Sequence, residues 1–348
     1  MMLPFASLRG KSLQGDCKGG TLSSDGGVLL LRETEAHIGV IGRFGQALDD
    51  RRDPRYPDQS YEERLSQRIL QIACGYEDAD AGDALRHDPA FKAACDRLPS
   101  EGKPLASQPT LSRLENAPRR SKLSRRAQGL FETFVASYER APQAILVDIA
   151  ETADEGHGTQ QQSLFPGHYD AYGSLPLPIY EGQSGKLITS MLRPGRRPSG
   201  PEIGSIIKRV IGAIRRQGPE GSILLRGDRH WSTPEVQQWC ESQEPVVFSI
   251  LGHSGNAVLE REASYLLDQA RSLYRYKQVR AERKQGKEQS QPQKPKPKKD
   301  AFKSQQGYQM GSEAPRNATL YTTFFSQAGS WTKPHHSICK AEVLKSDG

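Results

Sequence analysis

Cysteine is scarce in this sequence and nowhere paired. Cys17, Cys74, Cys95, Cys240 and Cys339 are scattered, odd in number and without a Cys-X-X-Cys spacing. That excludes a disulfide-built scaffold and a cysteine zinc site, and it fits a reducing compartment. Long apolar runs are also missing. None approaches the ~20 residues that a membrane-spanning helix requires. The opening Met1-Met2-Leu3-Pro4-Phe5-Ala6-Ser7-Leu8-Arg9-Gly10 lacks the apolar stretch of a signal peptide, so a cytoplasmic location without membrane partners is expected. Hydrophobic residues are 35% and charged ones 26%, the balance of a soluble, rather polar protein. There is no internal repeat. His157, His168, His253 and the pair His335-His336 show no metal-ligand spacing.

What is present is length and positive charge. A chain of 348 residues has room for two or three domains and a sizeable core. A formal net charge of +7 favours a polyanionic partner such as nucleic acid.

Along the chain, three regions separate. Residues 1–140 read as mainly helical. A short extended element precedes a helix from about Leu29, and a helical pattern runs from Tyr61 with Leu65, Ile69, Ile72 and Ala73 on one face. Pro89, Pro104, Pro109 and Pro118 cut this region into short helices. Pro109-Thr-Leu-Ser-Arg-Leu-Glu115 opens a helix, and Arg113, Arg119, Arg120, Lys122, Arg125 and Arg126 cluster on and behind it. A helix-turn-helix DNA reader has this form, and so does a helical bundle with a solvated basic face.

Residues 141–252 change character. Ala144-Ile-Leu-Val-Asp148-Ile-Ala150 is a continuous apolar strand. Leu175–Tyr180 and Lys186–Leu192 form a hairpin. Ser199-X-X-Glu202 caps a helix with Ile203, Ile206, Ile207, Val210, Ile211 and Ile214 in one stripe, stopped by Gly218-Pro219. The strand Ser222–Leu225 follows, then a second capping box, Ser232-X-X-Glu235, and a buried strand, Pro245–Leu251. The expected fold class is α/β with a mixed sheet. Residues 253–348 hold a basic loop, about 280–310, with Lys294-Pro-Lys-Pro-Lys-Lys299, expected to be disordered, and strands over 318–344. The closing composition, strands without a final helix, reads as a truncated domain.

The chemistry concentrates at Leu225-Arg226-Gly227-Asp228, a turn between a strand and a capped helix. Open α/β sheets build their sites at such strand ends. Asp148 and Asp228, on neighbouring strands, are candidate carboxylates for divalent cations, with Mg²⁺ or Mn²⁺ the metals that hard oxygen ligands suit. Phosphodiester cleavage uses two such metals ~3.5–4 Å apart. Arg226, inside the turn, joins Arg113, Arg119, Arg120, Lys122 and Arg125 as a candidate DNA contact. Ser163 with His168, or His230 beside Asp228, would be metal-free alternatives. Their spacing matches no nucleophile elbow.

Several runs carry a resemblance across nearly the whole chain: Ser24-Asp-Gly-Gly-Val-Leu-Leu-Leu-Arg-Glu33, Gly75-Tyr-Glu-Asp-Ala-Asp80, Leu85-Arg-His-Asp-Pro89, Leu105–Asn116, Leu175-Pro-Leu-Pro178, Leu192-Arg-Pro-Gly195, Leu225–Asp228, Ser232–Glu241, Gly329-Ser-Trp331 and Lys340-Ala-Glu342. With them the sequence resembles the DDE transposases of bacterial insertion sequences, in the branch called the insertion-sequence thirteen-eighty family. The resemblance implies an RNase H-like core, a helical N-terminal region and a strand-rich insertion after the fifth core strand. It implies binding to the terminal inverted repeats of double-stranded DNA, metal-dependent strand cleavage and transfer, and a dimeric assembly. The second catalytic aspartate falls on Asp228. The first falls on Ala150, with Asp148 two residues back on the same face and Glu151 on the other. The third, a helical glutamate, has no counterpart, and Glu342 belongs to the insertion. The expected protein is therefore a transposase impaired in chemistry. The alternative is a non-catalytic DNA-binding remnant that competes with an intact transposase.

Overall fold

A computed structural model describes residues 5–13, 22–46, 59–99, 103–117, 120–156, 163–165, 172–253, 255, 257–289, 317–327, 329 and 331–344. The chain divides into two compact units, Met1–Gly252 and His253–Gly348.

The first unit opens with helices: α1 (Val28–Ile38), α2 (Val40–Gln46), α3 (Tyr61–Ala73), α4 (Gly82–Leu85), α5 (Pro89–Ala94), α6 (Gln108–Asn116) and α7 (Arg120–Ala136). Their starts follow from the sequence. Ser60 caps α3 and Glu63 closes the reciprocal bond, while the Asp88 carboxylate accepts from Ala90 and Phe91 at the head of α5. The apolar stripe expected on α3 is not the one buried. Leu65 and Leu70 face inward, but Ile72 is 51% exposed. A polar stripe takes its place, because its partners are backbone groups that need satisfying. Gln67 exchanges two hydrogen bonds with the Ala106 backbone, and Arg68 binds Glu115 and the carbonyls of Tyr76 and Glu77.

The α/β core carries β1 (Ala144–Ile149), the short β2 (Asp154–Glu155) and β3 (Gly173–Ser174), then β4 (Leu177–Glu181), β5 (Leu187–Met191), α8 (Gly200–Gln217), β6 (Ser222–Gly227), α9 (Pro234–Glu241) and β7 (Val247–Leu251). The five-stranded sheet has the order β5-β4-β1-β6-β7. β4 pairs antiparallel with β1 and β5, while β1, β6 and β7 run parallel. The strand order in the sequence leads one to expect this mixed sheet, and its arrangement is that of the RNase H-like core the resemblance implies. Alternate residues Val147, Ile149, Ile223, Leu225 and Val247 face a core closed by Phe131 and Phe134 of α7, the isoleucine stripe of α8, and Val236 and Cys240 of α9. The opposite face leaves Tyr180, Phe248 and Ile250 exposed. The cap of α9 sits one residue later than expected. Thr233, not Ser232, accepts from Val236, with Pro234 in the first turn.

The second unit holds α10 (Ala257–Gln289) and an antiparallel hairpin, β8 (Asn317–Ser326) with β9 (His335–Leu344). Leu266, Ala270 and Tyr274 of α10 pack on Ala318, Ala341 and Val343 of the hairpin. The strands match expectation. The expected loop at about 280–310 does not begin at 280, because α10 continues through Gln289. Runs rich in Lys, Arg, Glu and Gln have good helix propensity, which outweighs their lack of apolar residues. The rest of that loop lies outside the described residues. Among the described residues, no helix is long and apolar enough to cross a membrane.

Candidate functional site

The parallel register of β1 and β6 sets the geometry. Asp148 stands opposite Arg226, and Ile149 opposite Gly227. Ala150 and Asp228 are the next residues of the chain, one step past the last register pair. Ala150, where the resemblance puts the first acid, carries only a methyl and supplies no ligand. One step back, Arg226 grips Asp148 through a two-point fork, Nε to Oδ1 at 2.6 Å and Nη2 to Oδ2 at 2.5 Å. Asp148 is thereby committed to a guanidinium, and Arg226 to a carboxylate.

The turn itself is tight. A side chain at Gly227 would come within 3.0 Å of both Ile149 Cγ2 and Trp231 Cβ. The fully buried Trp231 donates its backbone N–H to the Asp228 carbonyl and floors the turn. Above it the Asp228 carboxylate, 54% exposed, folds over His230. Oδ1 accepts from the His230 backbone at 2.8 Å, and Oδ2 lies 3.2 Å from Nδ1. Nε2 of that ring is buried and meets no hydrogen-bond partner.

Two further residues complete this end of the sheet. Glu151 is half-buried, and its Oε1 has no partner. Burial pushes its carboxyl above the ordinary range. Among its charged neighbours Arg193 opposes this most, followed by His230, while Asp228 reinforces it. Glu151 therefore shares an electrostatic neighbourhood with Asp228 and His230. β1 ends at Ile149, so strand alternation does not set the direction of Glu151. Arg193, only 8% exposed, was not among the expected site residues. Its one signal in the sequence is the run Leu192-Arg-Pro-Gly195.

These residues do not fit a two-metal clamp. Ala150 offers no ligand, Asp148 is held by Arg226, and two arginines, Arg193 and Arg197, act on Glu151. Among the described residues, no group of three His, Cys, Asp or Glu is arranged to hold a metal ion.

The expected DNA contacts are dispersed. Arg113 is exposed on α6, whose Leu111 and Leu114 pack with Ala106 beside Tyr61 and Ala79. Arg125 is exposed on α7, which packs instead on the sheet through Phe131, Phe134 and a bond from Thr189 Oγ1 to the Ala127 carbonyl. α6 and α7 thus belong to different packing clusters. Arg119 lies outside the described residues, as do the side chains of Arg120 and Lys122. His168 lies outside them too. Ser163 Oγ is buried without a partner.

A family model described as transposase DDE domain group 1 matches residues 5–347. Among solved structures, the chain is similar to the piggyBac transposase of a synaptic complex with hairpin DNA, at 14% identity and a TM-score of 0.34. That match covers 66% of this chain and 51% of the other, so the chain spans about half the length of its structural relative. Among curated proteins there is no significant match.

Proposed function

This chain belongs to the transposase DDE domain group 1 family, and from that premise we propose that it binds the terminal inverted repeats of a bacterial insertion sequence of the thirteen-eighty branch. On this reading it works in the cytoplasm, as a homodimer on double-stranded DNA, with strand cleavage and transfer impaired. The net charge of +7 supports DNA as the partner, and the exposed Arg113 and Arg125 are the proposed backbone contacts.

The impairment rests on one observation, an alanine at position 150, where the resemblance puts the first acid. DDE transposases generally use divalent metal ions, and two-metal phosphodiester chemistry needs carboxylates that hold both cations ~3.5–4 Å apart. Asp228 is the acid we propose to be retained. An alanine supplies no ligand, and Asp148 is neutralised by its own arginine.

A gel-shift on the repeats of the source element, with Mg²⁺ or Mn²⁺ in the same tubes, tests this. The expected result is a salt-sensitive, repeat-specific shift without nicking. Metal-dependent nicking would overturn the impairment, and absence of any shift at low salt would overturn the DNA reading.

A second reading is favoured by the Asp148–Arg226 fork, which removes one substitute carboxylate. In this reading the chain is a non-catalytic remnant that occupies the ends and excludes an intact transposase. Titrating it into a cleavage reaction run by that transposase would then lower the yield in proportion to the ends bound.

A further inference from the structure

The positive charge of this chain is not spread evenly. Residues 253–348 hold 17 Lys and Arg against 9 Asp and Glu, a formal charge of +8. Residues 1–252, which include Arg113 and Arg125, hold 31 against 32, a formal charge of −1. The excess that favours a polyanionic partner therefore lies in the second unit.

Within that unit, α10 gathers part of the excess on described side chains. From Arg271 to Arg283 there are five bases, Arg271, Arg275, Lys277, Arg280 and Arg283, against one acid, Glu282. All five bases are exposed. Two of them are engaged. Arg271 pairs with Asp268 at 3.3 Å, and Lys277 donates to the Asn317 carbonyl at 3.4 Å. Arg275, Arg280 and Arg283 pair with no carboxylate among the described residues. Their spacing gathers them on one strip. Arg275, Val279 and Arg283 follow one another at four-residue steps, and Tyr276 and Arg280 form the next row. Tyr276 is 63% exposed in the middle of this strip.

The surroundings narrow the class of polyanion. A helix that lies on a membrane needs a broad apolar face to enter the lipid. The apolar stripe of α10, Leu266, Ala270 and Tyr274, is already buried against the hairpin and ends at Tyr274. The strip itself offers only Tyr276 and Val279. What it does offer is three guanidinium groups, whose planar forks match phosphate oxygens, and a phenol that can donate to the same oxygens. We propose that Arg275, Tyr276, Arg280 and Arg283 on α10 form a contact for the phosphate backbone of double-stranded DNA, one that holds the duplex without reading its bases. The inference rests on the DNA-binding reading above and names where on the chain the backbone is held.

The test is equilibrium binding of a fluorescent mixed-sequence DNA duplex to the full chain across a range of KCl concentrations. Wild type is compared with a triple variant, Arg275→Gln, Arg280→Gln and Arg283→Gln. A control removes the same charge from the exposed side of α8, with Lys208→Gln, Arg209→Gln and Arg216→Gln. Each phosphate contact contributes about −0.9 to the slope of log affinity against log salt. The α10 variant is expected to flatten the slope by about 2 to 3 and to weaken binding at least about tenfold at about 0.1 M KCl. Its melting temperature should hold, because glutamine keeps a helix propensity close to that of arginine. The control should keep the wild-type slope. An unaltered slope and affinity in the α10 variant, or an equal flattening in the control, overturns the proposal and leaves the DNA reading intact. No binding by wild type overturns both. Should the α10 variant fail to fold, phenylglyoxal modification of wild-type arginines decides. Protection of Arg275, Arg280 and Arg283 by the duplex supports the contact, and equal modification with and without DNA overturns it.

Discussion

Asp148 and Arg226 show how a residue can sit in the right place and still be unavailable. The fork between them is short and two-pointed. Asp228 keeps its expected position at the strand end, fixed by the close approach of Gly227 to Ile149 and Trp231. A second carboxylate shows the same kind of commitment with a measurable consequence. The hydrogen bonds from Arg196 and then from the Ser199 backbone hold the Glu202 carboxyl down to about 2, from an ordinary value of 4.5. A carboxyl depressed in the folded state adds stability above its unfolded pKa and loses it as pH falls through the folded one. Wild type should therefore lose stability progressively from pH 4.5 toward about 2. Glu202→Gln should have a flatter acid limb there, measured as urea midpoints across that pH window. An identical acid limb in the variant would contradict the role given to this carboxyl.

Among the elements, α8 covers most of the sheet's inner face. Ile203, Ile207, Val210, Ile211 and Ile214 are all buried along one stripe. Ile207 is 1% exposed, and Ile207→Ala should cost about 2–5 kcal/mol through lost burial and an unfilled cavity. Urea unfolding would show it as a lower midpoint with an unchanged m value. A change below 0.5 kcal/mol, on the order of a surface substitution, would mean that the stripe does not carry the core. This stripe was legible in the sequence because its period and its Ser-X-X-Glu start agree. The order of strands was legible for the same reason, since continuous apolar runs and a Gly-rich hairpin turn leave little choice. The α3 face was not legible. A helix that buries Gln67 and Arg68 does so for the sake of a carbonyl at Ala106 and others at Tyr76 and Glu77, and these partners are distant in sequence. The continuation of α10 through Gln289 was hidden in a composition that suits both a solvated loop and an exposed helix. The strand-to-helix turn that carries Asp228 was legible. The Arg226–Asp148 fork and the burial of Arg193 depend on cross-strand register, which no local pattern encodes.

For the whole molecule, the proposed impairment is that of a transposase-family chain with an alanine where the resemblance puts its first acid. The sheet's outer face leaves Phe248 and Ile250 more than half exposed, next to the strand that carries Asp228. Two thiols, by contrast, are sealed in the core. Burial pushes Cys240 up to about 12 and Cys95 higher still. Neither should react with an alkylating reagent at neutral pH until the chain unfolds, since the thiolate is the reactive form. Mass spectrometry of the native, alkylated protein would show modification at either position if this packing were wrong. The central claim concerns Ala150. Calorimetric titration with Mn²⁺, wild type against Ala150→Asp, tests it most directly, because it reads ligand binding without requiring turnover. The account predicts no saturable binding by wild type and saturable binding by Ala150→Asp. Saturable Mn²⁺ binding by wild type with the affinity of the variant would contradict it.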